Sequence, residues 1–121
     1  MNKTAKILVL GARGMVGSAL VRELTSLGYK NLFGPLRSEL DLLNQAQTLE
    51  YFSHYKPEYV FDAAAKVGGI IANNTYRADF IFENLQVQNH LFEACFKSNV
   101  EKMLFLGSSC IYPRDVAQPI K

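Results

Sequence analysis

The amino-acid sequence predicts an α/β fold, a doubly wound parallel sheet, and three observations predict it. Short aliphatic or β-branched runs alternate with longer stretches whose apolar residues recur at steps of three and four. Two of the short runs stop at a glycine, Gly11 and Gly107. No repeat or low-complexity tract interrupts the series. The order strand, helix, strand, helix, strand, helix, strand therefore implies parallel strands joined by right-handed crossovers.

Lys6-Ile7-Leu8-Val9-Leu10 is continuously apolar after its lysine, the pattern of a strand buried on both faces. Over residues 15–27, Val16, Leu20, Leu24 and Leu27 mark one helical face, and Gly28 is the stop signal. A weaker strand is expected over residues 29–33, then a polar turn over 34–39. A second helix follows with Leu49, Phe52 and Tyr55 on one face and either Asp41 or Asn44 as its cap. Residues 59–65 hold the third strand and its exit. Residues 66–75, with Gly68-Gly69 and Asn73-Asn74, read as loop. The longest helix is expected over residues 78–98, where Phe80, Asn84, Val87, Leu91 and Ala94 fall at helical steps. A fourth strand over 102–106 ends at Gly107.

In a sheet of this order the fourth strand is expected beside the first, with ligands at the carboxyl ends where strand order reverses. The chain stops 14 residues after Gly107, which would leave the fourth strand as a long apolar edge with nothing specified to cover it. The expectation is one domain over residues 1–121 that forms the front part of a larger protein.

Composition narrows the function classes. With 49% hydrophobic and 20% charged residues the chain should bury a core rather than remain disordered. Lys and Arg outnumber Asp and Glu by 13 to 11 without forming a block, which argues against nucleic acid or a membrane surface as partner. The apolar run behind the charged N-terminus is only four residues, Ile7-Leu8-Val9-Leu10, too short for a signal-peptide core. No stretch approaches the ~20 apolar residues of a membrane helix, so a cytoplasmic location is expected. Cys95 and Cys110 lack CxxC spacing, so neither a disulfide framework nor a metal site is indicated.

Gly11-Ala12-Arg13-Gly14-Met15-Val16-Gly17 follows a strand and opens a helix, the context in which spaced glycines read as a dinucleotide fingerprint. Gly11 permits a tight turn, Gly14 lets the backbone approach a pyrophosphate, and Gly17 lets the helix approach the sheet closely. The helix N-terminus supplies free N–H donors. About 20 residues beyond the glycines an NAD enzyme offers a carboxylate to the ribose 2′-hydroxyl; Arg37 stands there instead. Arg13 points toward the same region. Two guanidinium forks suit a 2′-phosphate and predict NADP over NAD, with Asp41 and Leu42 beside the adenine.

Gly107-Ser108-Ser109-Cys110-Ile111-Tyr112-Pro113 leaves the fourth strand at the expected cleft. A serine hydroxyl there can polarise a substrate carbonyl, and a thiol can exchange a proton on the neighbouring carbon if its pKa is brought near neutral. Cys95 reads as an inert core thiol. The loop Lys66-Val67-Gly68-Gly69-Ile70 could line the nicotinamide and sugar sites. His54 and His90 are given no catalytic role.

The glycine motif, Ala63-Ala64-Ala65-Lys66-Val67-Gly68-Gly69-Ile70, Ala72-Asn73-Asn74-Thr75-Tyr76 and Leu106-Gly107-Ser108-Ser109-Cys110-Ile111-Tyr112-Pro113 together make the chain resemble the GDP-L-fucose synthase family of extended short-chain dehydrogenases over essentially its whole length. The resemblance implies a Rossmann-like NADP(H) domain. It implies epimerisation at C3 and C5 of GDP-4-keto-6-deoxy-D-mannose and then reduction of the C4 ketone. On matching positions, Ser108 resembles the serine bonded to the C4 oxygen and Cys110 the base for the C3 and C5 protons. Cofactor contacts fall on Gly11 to Gly17, on Arg37, Ser38, Glu39, Leu40, Asp41 and Leu42, on Ala64, and on Leu106, Gly107, Ser108 and Ser109. A homodimer is implied for the full-length protein.

The family's Tyr-xxx-Lys pair and epimerisation histidine have no counterpart here: Tyr112 is followed four residues on by Val116. Turnover by these residues alone is therefore not expected. A non-catalytic NADP-binding or interaction module, or another sugar-nucleotide epimerase or reductase, are the competing readings.

Overall fold

The computed structural model describes residues 1–108, 111–113, 115–117 and 119. Its elements in chain order are β1 (Ile7–Leu10), α1 (Met15–Ser26), β2 (Leu32–Phe33), α2 (Gln45–Tyr55), β3 (Tyr59–Asp62), α3 (Ile70–Thr75), α4 (Arg77–Lys97) and β4 (Lys102–Phe105). The four strands form one parallel sheet in the order β2-β1-β3-β4.

The continuous apolar run of β1 is explained by its two-sided burial. Successive side chains point to opposite faces, so Ile7 and Val9 meet Leu24 of α1 while Leu8 and Leu10 join Phe52 of α2 and Leu91, Ala94 and Cys95 of α4. All four β1 residues are at most 2% exposed. Each such apolar side chain contributes on the order of 2 kcal/mol by burial. The result is three layers, with α1 on one face of the sheet and α2 with α4 on the other.

The doubly wound expectation holds, but the strand neighbours differ. β3, not β4, lies beside β1, in register over Ile7↔Tyr59 to Leu10↔Asp62, and β4 lies beyond β3. The chain places just one strand, β2, on the first flank of β1 before crossing to the second. Strand order therefore reverses between β1 and β3. β2 contributes only two paired residues, shorter than the expected 29–33. β4 has four residues and is an edge, though not a long one; Leu104 and Phe105 are exposed.

Asn44 caps α2, its side chain accepting from the Gln47 N–H at 3.1 Å. Asp41, the other candidate cap, instead accepts from the Leu43 N–H within its own turn. Part of the expected 66–75 loop is helical: in α3 the Thr75 hydroxyl donates to the Ile71 carbonyl, and the Asn73 amide donates to the Gly68 and Gly69 carbonyls. Side chains that normally favour turns here bond back onto their own helical turn. Among the described residues, no helix is long and apolar enough to cross a membrane.

Candidate functional site

The site begins where β1 ends. Gly11 has φ +70°, and a Cβ there would stand 2.6 Å from the Ala63 carbonyl oxygen. Both the left-handed turn and the touch between the exits of β1 and β3 therefore require glycine. The Gly14 N–H donates to the Gly11 carbonyl at 2.8 Å, and Gly14 caps α1 through extended backbone without a side-chain bond. A Cβ on Gly17 would lie 2.1 Å from the Gly11 carbonyl oxygen. The sequence predicts a close approach of α1 to the sheet at Gly17; the tight contact is instead between α1 and the glycine turn itself.

The first turn of α1 has no acidic residue. Its leading amides have no acceptor inside the helix, and its positive dipole end is not offset by a carboxylate, so the turn is suited to an anion.

A cleft of about 470 Å³ opens between this turn, the segment after β2 and the exit of β3. Of the residues the sequence nominates, Gly11, Ala12, Arg13, Gly14, Arg37, Leu40, Asp41, Leu42 and Ala64 line it. Arg13 and Arg37 are exposed. Met15, Val16, Gly17, Ser38 and Glu39 border the cleft in sequence but are outside its lining. Glu39 has a local task, its carboxylate accepting from the Leu36 N–H at 2.7 Å and closing the turn that carries Arg37. Leu106, Gly107 and Ser108 leave β4, two positions from β1 in the sheet, and are not part of the lining. The carbonyl of Ser108 accepts from the Ile111 N–H at 3.3 Å. Ser109 and Cys110 lie outside the described residues.

The wall after β2 is fastened from behind. The Asp41 N–H donates to the Gln47 side chain at 2.8 Å, and His90 Nδ1 donates to the Leu42 carbonyl at 2.8 Å. His90 is buried in the core, and its bond fixes a lining residue. His54 is exposed and packs edge-on against Tyr55.

Beneath the cleft, Asp62 is 3% exposed, and its carboxylate accepts from the Ala64 N–H at 3.0 Å. Burial pushes its pKa up to about 6, partly opposed by that hydrogen bond. Cys95 is buried beside Met103, and burial, with the Asp62 charge second, pushes its thiol up to about 11. That is the state of an unreactive thiol.

Sequence reasoning did not nominate Pro35, Leu36, Leu43, Glu83, Asn84 and Val87, which also line the cleft. Asn84 carried a signal: it is a polar residue on a helical face otherwise marked by Phe80, Val87, Leu91 and Ala94.

The profile of the NAD dependent epimerase/dehydratase family matches residues 7–121. GDP-L-fucose synthase 1 of Arabidopsis thaliana is 56% identical over 98% of this chain and 37% of its own length. GDP-L-fucose synthase of Escherichia coli is 45% identical over 95% of this chain and 36% of its own length. A solved structure of a GDP-mannoheptose C4 reductase from Campylobacter jejuni with NADP bound is 43% identical, with a TM-score of 0.94, over 100% of this chain and 38% of that one. The chain thus spans little more than a third of the length of these relatives.

Proposed function

The chain belongs to the NAD dependent epimerase/dehydratase family, and we propose that it binds NADP(H) as the cofactor-holding part of a GDP-L-fucose synthase. The observation that carries this reading is the convergence of the glycine turn, an α1 N-terminus without acidic residues, and the Arg13 and Arg37 side chains on one cleft. The α1 amides would hold the pyrophosphate and the two guanidinium groups a 2′-phosphate, with Asp41 and Leu42 beside the adenine. The turn that would carry the pyrophosphate depends on its glycines, because a Cβ at Gly11 would strike the Ala63 carbonyl and one at Gly17 the Gly11 carbonyl.

The proposed reaction of the whole protein is 3,5-epimerisation and 4-reduction of GDP-4-keto-6-deoxy-D-mannose to GDP-L-fucose. NADPH, when bound, supplies the hydride. By resemblance, Ser108 hydrogen-bonds the C4 oxygen and Cys110 removes the C3 and C5 protons, which the adjacent ketone makes acidic. Within these 121 residues no Tyr-xxx-Lys pair completes the chemistry, so turnover is assigned to the whole protein. A cytoplasmic homodimer belongs to the same proposal, with no role for nucleic acid or membrane. The exposed row of Ile81, Leu85, Phe92 and Phe96 on α4 is one apolar surface available for contacts between subunits.

The test is calorimetric titration of the purified chain with NADPH and NADH, alongside Arg37→Ala. Saturable binding that prefers NADPH, and loses the preference in the variant, is expected. A folded chain that binds neither dinucleotide would refute the cofactor reading. A second reading, a C4 reductase for a different GDP-sugar, is favoured by the likeness to the Campylobacter jejuni reductase. Consumption of GDP-4-keto-6-deoxy-D-mannose by the whole protein, with proton exchange at C3 and C5, decides for the synthase.

A further inference from the structure

Lys66, Glu83 and Asn84 line the same cleft as the glycine turn and Arg37, and the proposed function leaves them without a task. The Asn84 carboxamide brackets one residue. Its Oδ1 accepts from the Lys66 N–H at 2.9 Å, while its Nδ2 donates to the Lys66 carbonyl at 3.0 Å and to the Phe80 carbonyl at 2.9 Å. The Lys66 backbone is therefore fastened to α4 on both sides of its Cα, and its side chain starts from a fixed point. Three residues earlier, the Ala63 carbonyl abuts Gly11, so the glycine turn and Lys66 are tied to one short segment.

The end of that side chain is held quite differently. Lys66 Nζ lies 2.5 Å from Glu83 Oε1 and 5.4 Å from the Phe80 ring centroid. The two charged side chains are 35% and 28% exposed, and an ion pair this accessible to water is weak and exchangeable. A lysine ammonium is a point charge with rotatable donors on a flexible stem, so it can change partners while its backbone stays still.

We infer that Lys66 is an anion-contacting residue of the cleft, parked on Glu83 and positioned by Asn84, that transfers to the phosphates of a bound dinucleotide. The inference rests on the dinucleotide reading above. A pyrophosphate carries more negative charge and more acceptor oxygens than the single Glu83 carboxylate, so it wins the ammonium when present. Glu83 then acts as a competitor that keeps Lys66 ordered in the free protein.

The experiment is titration of the full chain with NADPH and NADH at two salt concentrations, for the unaltered sequence, Lys66→Met, Lys66→Arg and Glu83→Gln, with unfolding midpoints measured on each. Lys66→Met should weaken NADPH binding about tenfold, the scale of one charge-assisted hydrogen bond, and reduce its salt dependence. Lys66→Arg should restore most of the affinity. Glu83→Gln should tighten binding severalfold, because the competitor is gone. The preference for NADPH over NADH should survive Lys66→Met, since that belongs to Arg13 and Arg37. If the unaltered chain binds NADPH while Lys66→Met and Glu83→Gln both weaken binding, or both leave it unchanged, the pair is only structural and this inference alone is overturned. If the unaltered, folded chain binds neither dinucleotide, the cleft reading falls and takes this inference with it.

Discussion

Gly17 stands so close to Gly11 that a Cβ on it would sit 2.1 Å from the Gly11 carbonyl oxygen and 2.9 Å from Ala12 Cα. The obstacle is backbone on the far side of a tight turn, which cannot rotate away as a side-chain tip can. Gly17→Ala should therefore cost about 3 kcal/mol, the upper part of the range for overpacking. Gly28 is a useful contrast: it has φ +83°, but a Cβ there would meet nothing within 4 Å. Gly28→Ala should cost only about 1 kcal/mol, through left-handed strain alone. Urea unfolding of both variants compares the two, and equal losses would remove the close-contact explanation.

His90 reaches the Leu42 carbonyl from α4 at 2.8 Å. His90→Phe keeps a ring of similar bulk but leaves that carbonyl without its donor. A loss of about 1–3 kcal/mol in stability is expected, together with weaker NADPH binding through a loosened cleft wall. Unfolding and titration on the same sample measure both. Unchanged affinity in a destabilised variant would show that the bond serves the core alone.

The buried Asp62 carboxyl sets a pH dependence. Its folded pKa is about 6, against 3.8 for the free side chain. The folded state therefore holds the proton more tightly than the unfolded state. Its favourable contribution is present below pH ~4 and disappears as pH rises through ~6, leaving a deficit on the order of 3 kcal/mol at pH 8. Asp62→Asn can still accept from the Ala64 N–H. It should raise stability at pH 8, change it little at pH 4, and flatten the profile between them. Persistence of the same profile in Asp62→Asn would assign the titration to another group.

Arg13 and Arg37 should act on the same ligand group. Arg13→Ala is expected to weaken NADPH binding about tenfold while leaving NADH nearly unchanged, the scale of one charge-assisted contact to a phosphate. Equal losses for both dinucleotides would place Arg13 on the pyrophosphate rather than the 2′-phosphate.

The parts legible in the sequence were those encoded over short distances. The unbroken run of Ile7 to Leu10 specifies a strand with two covered faces, and Gly11, Gly14 and Gly17, placed after that strand and before a helical pattern, specify the tight turn between them. Strand neighbours were harder. Nothing local in Tyr59 to Asp62 says which flank of β1 that strand takes, because the choice depends on where α2 crosses the sheet. Asn84 shows the same limit on a smaller scale. Its residue type gave a hint, but its partner, the Lys66 backbone, lies 18 positions away in sequence, and no periodicity links the two.

The touch between Gly11 and Ala63 has an evolutionary corollary. Pairing of Leu10 with Asp62 brings the next residue of each strand level with the other, so the distance along the chain from each strand to its exit is fixed on both sides. Insertions and deletions should be tolerated in the turn between α1 and β2, where Gly28 and Lys30 are exposed and a Cβ on Gly28 would meet nothing within 4 Å. A single residue gained or lost between β3 and Lys66 would shift the wall out of step with the glycine turn. Natural variation in length should accordingly be common in the turn before β2 and nearly absent between β3 and Lys66.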